Sequence, residues 1–126
     1  MEELTKTEEK IMQILWDLKK GFVKDVIAKM PDPKPPYNTI SSVIRILEGK
    51  GFVDHNAYGK THEYFPIISK VAYSKFTLKN VIKNYFGGSY EKLVSFMVNE
   101  KDLSDTEIKE IKDIIDKNFP NDSSND

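Results

Sequence analysis

Apolar residues in the first third of the chain recur every three or four positions, which is the spacing of a helix with one buried face. A first helix is predicted after Thr5, because Thr5 and Glu8 have the spacing of a capping box, and Gly21 is expected to end it. A second, short helix is predicted over residues 23–30. The proline-rich run at 31–36 cannot continue that helix and is expected to form a stiff loop.

The third predicted helix, residues 37–50, has two contrasting faces. One face is an apolar stripe that consists of Ile40, Val43, Ile44 and Leu47. The opposite face has small polar side chains and one charge; its members are Asn38, Ser42, Arg45 and Gly49, with Ser41 on the flank. Solvated helix faces in this chain are rich in Lys and Glu, as at 107–117. The polar face of the third helix has a single charge by comparison, which indicates a contact surface.

The periodicity changes to two after Gly51, which indicates strands. Residues 52–55 and 62–65 are predicted to form a β-hairpin, with Gly59 in a positive-φ turn and Pro66 at its end. A hairpin this short is unstable alone, so it must pack on the helices. Three helices followed by a hairpin predict a mainly α fold with a small β-hairpin wing, a winged helix-turn-helix.

Helical periodicity returns in the second half of the chain. Helices are predicted over 71–86 and 90–98, with Gly87-Gly88 as the break between them. A last helix follows Ser104, which forms a second capping box with Glu107.

These features predict a winged-helix domain at 1–70, a helical dimerisation domain at 71–119 and a disordered tail at 120–126. The C-terminal helices have strongly apolar stripes and little sequence left to cover them, which favours a dimer. The residues expected at the dimer interface are Phe86, Tyr90, Leu93, Val94, Met97, Ile108, Ile111 and Ile115.

Composition limits the possible functions. The 126 residues include 19 Lys and Arg and 20 Asp and Glu, and a formal net charge of -1 excludes nucleic-acid binding by bulk charge alone. Within 33–62, however, four basic residues stand against two acidic ones: Lys34, Arg45, Lys50 and Lys60 against Glu48 and Asp54.

The absence of cysteine excludes disulfides and thiolate metal sites. No secretory signal and no apolar run near the roughly 20 residues that span a bilayer are visible, which predicts a cytoplasmic protein without membrane insertion.

Enzyme chemistry finds little support in the sequence. The only two imidazoles, His55 and His62, flank the predicted hairpin and face each other if it forms, so they could share a metal with Asp54 or Glu63. Two such ligands make a weak site, and we expect no catalytic residue, no metal and no cofactor. A set of aromatic residues suggests either a ligand pocket or, at helical spacing, core and dimer-interface packing; its members are Tyr73, Phe76, Tyr85, Phe86 and Tyr90.

The third helix is the better candidate for function. Small polar side chains near the start of a recognition helix allow close approach to the major groove, and Arg45 is long enough to reach a base or a phosphate. The predicted DNA contacts are Tyr37, Asn38, Thr39, Ser41, Ser42 and Arg45 on the helix, with Tyr58 and Lys60 on the wing. Two alternatives remain open: a plain core helix, and a winged-helix protein-interaction module without sequence-specific DNA binding.

Several segments, in this order and spacing, resemble the penicillinase-repressor family of the BlaI/MecI type. The two longest are LTKTEEKIMQILW from Leu4 to Trp16 and YNTISSVIRILEGKGFV from Tyr37 to Val53. The resemblance continues through shorter segments, namely Gly59–Pro66, Phe86–Ser89, Leu93-Val94 and Lys101–Ile108.

The resemblance implies a bacterial homodimeric repressor. A winged helix would bind an inverted-repeat operator in double-stranded DNA, and the C-terminal helices would form the dimer. It also implies a membrane sensor with a metalloprotease domain that triggers cleavage in the dimerisation helices and lifts repression.

Three departures from the family pattern limit what carries over. The usual Asn-Phe cleavage bond is replaced by Phe96-Met97, which is therefore only a possible cleavage region. The cysteine motif of the copper-responsive branch is missing. Ser41 and Ile46 stand where relatives have basic residues on the recognition helix, so the operator sequence does not carry over.

Overall fold

The computed structural model describes residues 1–100 and 103–118. The elements in chain order are α1 (Lys6–Leu18), α2 (Val23–Ala28), α3 (Tyr37–Gly49), β1 (Val53–Tyr58), β2 (Thr61–Pro66), α4 (Lys70–Tyr85), α5 (Tyr90–Asn99) and α6 (Asp105–Asn118). This order confirms the predicted fold class, a winged helix-turn-helix followed by C-terminal helices. The predicted tail at 120–126 lies outside the described residues.

Helix α1 begins as predicted but ends early. The Thr5 hydroxyl accepts a hydrogen bond from the Glu8 amide at 3.2 Å, and the Glu8 carboxylate accepts one from the Thr5 amide at 2.8 Å, which confirms the capping box. The predicted end at Gly21 is wrong, because Lys19 already adopts a φ of 72° and its amide bonds back to the Leu15 carbonyl.

Gly21 instead pairs with the wing. Its amide and carbonyl exchange hydrogen bonds with those of Tyr64 at 2.9 and 2.8 Å, an isolated antiparallel bridge beside β2. A Cβ at Gly21 would lie 3.3 Å from the Cβ of Asp25, so the close approach favours glycine here. The bridge attaches the segment between α1 and α2 to the hairpin.

Helix α2 is two residues shorter than predicted and ends at Ala28. The Lys34 ammonium donates a hydrogen bond to the Ala28 carbonyl at 3.2 Å and another to the Met30 carbonyl. The proline-rich loop therefore supplies a cation to carbonyls at the end of α2, where the helix leaves them unpaired.

The hairpin strands are longer and its turn tighter than predicted. Tyr58 pairs with Thr61, so the turn consists of Gly59 and Lys60 alone. Gly59 has the predicted positive φ, at 63°, and Pro66 is the last residue of β2, as predicted. A two-residue turn allows residues 56–58, expected in the loop, to join β1.

The chain divides into two compact units, Met1–Leu78 and the residues from Lys79 onward. The core of the first unit is formed by α1, α2, α3, the hairpin and the start of α4; its buried members include Ile11, Leu15, Val26, Ile40, Ile44, Leu47, Phe52, Val53, Tyr64 and Tyr73. The Tyr73 hydroxyl accepts a hydrogen bond from the Leu4 amide at 2.8 Å. The domain boundary expected at residue 70 remains a prediction.

The second unit has clear helix boundaries. Gly87 and Gly88 both have positive φ and separate α4 from α5, which starts where the Ser89 hydroxyl accepts a hydrogen bond from the Lys92 amide at 3.2 Å. The Ser104–Glu107 capping box is confirmed, with both hydrogen bonds at 3.1 Å. Among the described helices, none combines the length and the apolar character that crossing a membrane requires.

Candidate nucleic-acid interface

The outward face of α3 matches the predicted pattern of exposure. Ile40, Ile44 and Leu47 are buried and attach the helix to the core. The predicted contact residues on the opposite side are accessible; Tyr37, Asn38, Thr39, Ser42 and Arg45 are exposed and Ser41 is half-buried. The core contacts therefore hold α3 in place while its short polar side chains face outward.

The start of α3 leaves backbone donors accessible. Pro36 occupies the N-cap position, and among the described residues no side chain accepts a hydrogen bond from the first turn. The first amides of a helix lack intrahelical partners and have partial positive charge. This end of α3, which includes Tyr37 and Asn38, is thus suited to an anion such as a phosphate.

The wing tip carries the other predicted contacts. Tyr58 and Lys60 are exposed on either side of Gly59, and the Thr61 hydroxyl donates to the Tyr58 carbonyl at 2.8 Å. The Tyr58 ring lies 5.9 Å from the Phe22 ring, centre to centre. This packing restrains the direction of the tyrosine while its surface stays accessible.

The basic residues counted within 33–62 differ in how far they stay available for contacts with a partner. Lys50, counted among the basic residues around α3, pairs with Glu8 at 2.9 Å from Nζ to Oε2. The Lys34 ammonium donates a hydrogen bond to the Ala28 carbonyl at the end of α2. Arg45 and Lys60 are exposed on α3 and at the wing tip, whereas Lys34, although exposed, is bound to carbonyls of its own chain.

The Glu8–Lys50 pair joins the end of α3 to the start of α1. Burial acts to raise the pKa of Glu8, but the hydrogen bond from the Thr5 amide and the Lys50 ammonium outweigh it and hold that pKa below its ordinary value. The hydrogen bond to Glu8 raises the pKa of Lys50 above its ordinary value. No local pattern predicts this pair, because its members lie 42 residues apart in the chain.

Arg45 also has a partner within the protein. Burial raises the pKa of the Tyr64 hydroxyl, and the nearby Glu48 carboxylate adds to this effect. The nearby Arg45 guanidinium opposes it. Arg45 thus lies near a buried residue of β2, a relation that the helical pattern alone does not reveal.

The two histidines connect the wing to α3. As predicted, they meet across the hairpin: the rings of His55 and His62 stack at 3.9 Å with an interplanar angle of 7°. The strand register puts both on the face of the hairpin that also bears Tyr64. His55 Nδ1 contacts the Glu48 carboxylate of α3, so a wing residue and a helix residue are paired.

This geometry does not favour a metal shared by the two histidines. Ring nitrogens bind metals in the plane of the ring, and two parallel stacked rings do not converge on one ion. A different trio, Glu48, Asp54 and His55, has potential ligand atoms within 4.8 Å of one another. His55 Nδ1 is already paired with Glu48, and Asp54 accepts a hydrogen bond from the His55 amide at 2.8 Å.

The aromatic residues considered for a ligand pocket lie in separate places. Tyr73 is 5% exposed, and Phe76 packs beside it with ring centres 6.1 Å apart in the core of the first unit. Phe86 packs on Phe96 at 5.6 Å, and Tyr85 is 78% exposed. Within the described residues this set is divided between core packing and open surface.

The predicted dimerisation residues of the second unit are accessible to different degrees. Phe86, Leu93, Val94, Met97, Ile108 and Ile111 are half-buried and Tyr90 is exposed. The side chain of Ile115 lies outside the described residues. Phe96 and Met97, the possible cleavage region, lie within α5, and Phe96 is half exposed.

Comparisons of the chain with a protein family and with individual proteins agree with each other. Residues 4–117 match the family described as "Penicillinase repressor". The chain is 29% identical over 116 residues to the "Methicillin resistance regulatory protein MecI" of Staphylococcus aureus (strain N315), which covers 91% of this chain and 94% of that protein. The protein of the same name from Mammaliicoccus sciuri is 30% identical over 118 residues, with the same coverage.

Proposed function

Because the chain belongs to the penicillinase repressor family, whose members are transcriptional repressors and not enzymes, we propose that it represses transcription as a homodimer bound to an inverted-repeat operator. The observation that carries the operator proposal is the exposed polar face of α3, held outward by the buried stripe of Ile40, Ile44 and Leu47. Exposed Arg45 and Lys60 supply positive charge on the same helix and on the wing.

In this proposal α3 enters the major groove of double-stranded DNA. The groove is about 12 Å wide and accepts an α-helix, provided that the side chains between helix and bases are small. Thr39, Ser41 and Ser42 meet this condition. Asn38 is suited to adenine, and the exposed Arg45 to guanine or a phosphate.

The wing would contact the sugar–phosphate backbone. Lys60 lies at the turn and Tyr58 beside it, so one cation and one hydroxyl approach the DNA from a restrained hairpin. Such contacts position a protein on the duplex without reading sequence. Because α3 and the wing tip together present few cations, Arg45 and Lys60, affinity would depend on two chains binding together.

The second unit supports the dimer. Exposed apolar side chains there include Val81, Tyr85, Tyr90, Phe96 and Ile114. Exposed apolar side chains favour association, and a second copy of the chain is the natural partner in a two-fold dimer. Two α3 helices about one helical turn of DNA apart, roughly 34–36 Å, would then match an inverted repeat.

Derepression would follow from a weaker dimer. A membrane sensor metalloprotease that cuts near Phe96-Met97 would interrupt α5 in its middle. When the dimer dissociates, the second winged helix no longer has the high effective concentration at its half-site that the dimer provides. Repression would therefore end although each winged helix stays folded.

The test is a gel shift and a footprint on the DNA upstream of the chain's own gene, with excess nonspecific competitor. We expect a two-fold-symmetric footprint whose log affinity falls linearly with log salt concentration, because bound phosphates release counterions. The absence of a salt-sensitive footprint would refute operator binding. It would favour the alternative, a winged-helix module that docks on another protein.

A further inference from the structure

One apolar side chain lies on the otherwise polar outward face of α3. Ile46 is 51% exposed, whereas Ile40 and Ile44 of the same helix are buried. It follows Ser42 by four residues and precedes Gly49 by three, so the three residues share one strip of the helix surface. Both neighbours are small and exposed, and Ile46 therefore projects between them.

Gly49 is the last residue of α3, and neither a close contact nor a positive φ within the protein requires glycine there. A Cβ at Gly49 would meet nothing within 4 Å, and its φ is not positive. Alanine would be the better helix former there. The bare backbone beside Ile46 leaves room for a partner that approaches closely.

The chemistry of the major groove identifies that partner. The base edges there carry hydrogen-bond donors and acceptors, and the apolar group among them is the 5-methyl of thymine. We propose that Ile46, beside the bare backbone of Gly49, contacts the 5-methyl of one thymine in each half-site and selects thymine at that base pair. This inference rests on the proposed function.

The side chain is suited to this role. A β-branched residue in a helix has one strongly preferred rotamer, so Ile46 loses little freedom when it makes a contact. It offers no donor or acceptor, and against the amino group of cytosine it would remove water without replacing a hydrogen bond. Ile46 therefore favours thymine and disfavours cytosine.

Uracil provides the test, because it differs from thymine only by the missing methyl group. Each thymine of the footprinted operator is replaced in turn by uracil, and dissociation constants are measured for the wild type and for Ile46→Ala. Ile67→Ala is the matched control, since Ile67 is 56% exposed and lies outside α3. Circular dichroism verifies that all variants are folded.

We expect uracil at one thymine per half-site to weaken wild-type and Ile67→Ala binding about three- to tenfold, from the loss of one methyl contact in each half-site. Ile46→Ala should bind the unmodified operator more weakly and be insensitive to that same uracil. Gly49→Ala should be at least as stable as the wild type and bind the operator less tightly, because its methyl occupies the space beside Ile46.

The outcomes separate this inference from the proposed function. If no uracil weakens wild-type binding, or if Ile46→Ala keeps the same sensitivity, the thymine contact is refuted while salt-sensitive operator binding still supports the repressor. If the wild type shows no salt-sensitive operator binding, the proposed function fails and the thymine contact fails with it.

Discussion

Replacing Glu8 by glutamine removes one charge from the contact between α1 and α3. Glutamine at this position still accepts a hydrogen bond from the Thr5 amide, so the capping box is retained. It loses the ion pair with the Lys50 ammonium, which lies 2.9 Å from Oε2 of Glu8, but its Oε1 can still accept the hydrogen bond that Lys50 donates at 3.0 Å. Glu8→Gln therefore isolates the ionic part of the contact.

The expected loss follows from the burial of Glu8, which is 4% exposed. Hydrogen bonds to charged groups contribute about 1.5–3 kcal/mol, whereas exposed ion pairs contribute about 0.2–1 kcal/mol. Lys50 stays partly in contact with water at 22% exposure of its side chain, and it regains hydration when Glu8 is neutral. We expect the free energy of unfolding of Glu8→Gln to fall by about 1–2 kcal/mol at neutral pH.

The pH dependence provides a second criterion. The pKa of Glu8 is lowered in the folded state, so its stabilising effect is complete above the unfolded-state value of about 4.5. The effect is lost as the pH falls through the lowered folded-state pKa, where Glu8 becomes protonated in both states. The difference between wild type and Glu8→Gln should accordingly shrink on acidification.

Urea unfolding at fixed protein concentration measures this difference, with the fluorescence of Trp16 as the signal. Trp16 is the only tryptophan of the sequence, and its indole donates to the Ile68 carbonyl at 2.9 Å, so it reports on the first unit. Glu9→Gln, at the exposed neighbouring position, is the matched control and should be neutral. Equal stability of Glu8→Gln and wild type at neutral pH, or a deficit that persists unchanged in acid, would refute the reasoning.

Three further predictions concern the DNA face, the dimer and the core. Arg45→Ala should weaken operator binding about 5- to 150-fold with the fold intact, as measured by gel shift. The control is Lys29→Ala, which removes an exposed cation at the C-cap of α2. Equal losses of affinity in the two variants would contradict a specific role of Arg45. Leu93→Asp should raise the dimer dissociation constant at least about tenfold in analytical ultracentrifugation and weaken operator binding, with Ser95→Asp on the same helix as control; a dimer that persists would exclude α5 from the interface. Phe52→Ala should lower the free energy of unfolding by about 3–5 kcal/mol in urea, because Phe52 is fully buried; a loss under about 1 kcal/mol would mean that the cavity collapses.

Local signals in the sequence predicted most of the elements correctly. The capping boxes at Thr5 and Ser104 and the break at Gly87-Gly88 involve residues a few positions apart, and the structure confirms each. The apolar stripe of α3 also follows from spacing alone. These features depend on the backbone and near neighbours, which a pattern describes.

Contacts between distant segments were not predictable in this way. Gly21 pairs with Tyr64 instead of ending α1, and helix propensity contains no information about that partner. The same holds for Lys50, which looked like a free cation beside α3 and is paired with buried Glu8. The residues of the candidate site could thus be proposed from the sequence. Which of the nearby cations stay accessible depends on packing between distant segments.

Two hydrogen bonds that join the N-terminal segment, residues 4–16, to residues 68–73 at the start of α4 have a consequence for truncated chains. Leu4 bonds to Tyr73 and Trp16 to Ile68, over separations of 69 and 52 residues. During synthesis the winged helix therefore lacks part of its native contacts until the start of α4 has emerged from the ribosome. A nonsense codon upstream of α4 should yield an unfolded, rapidly degraded fragment, and its genetic effect should be recessive loss of function rather than dominant interference with the intact repressor.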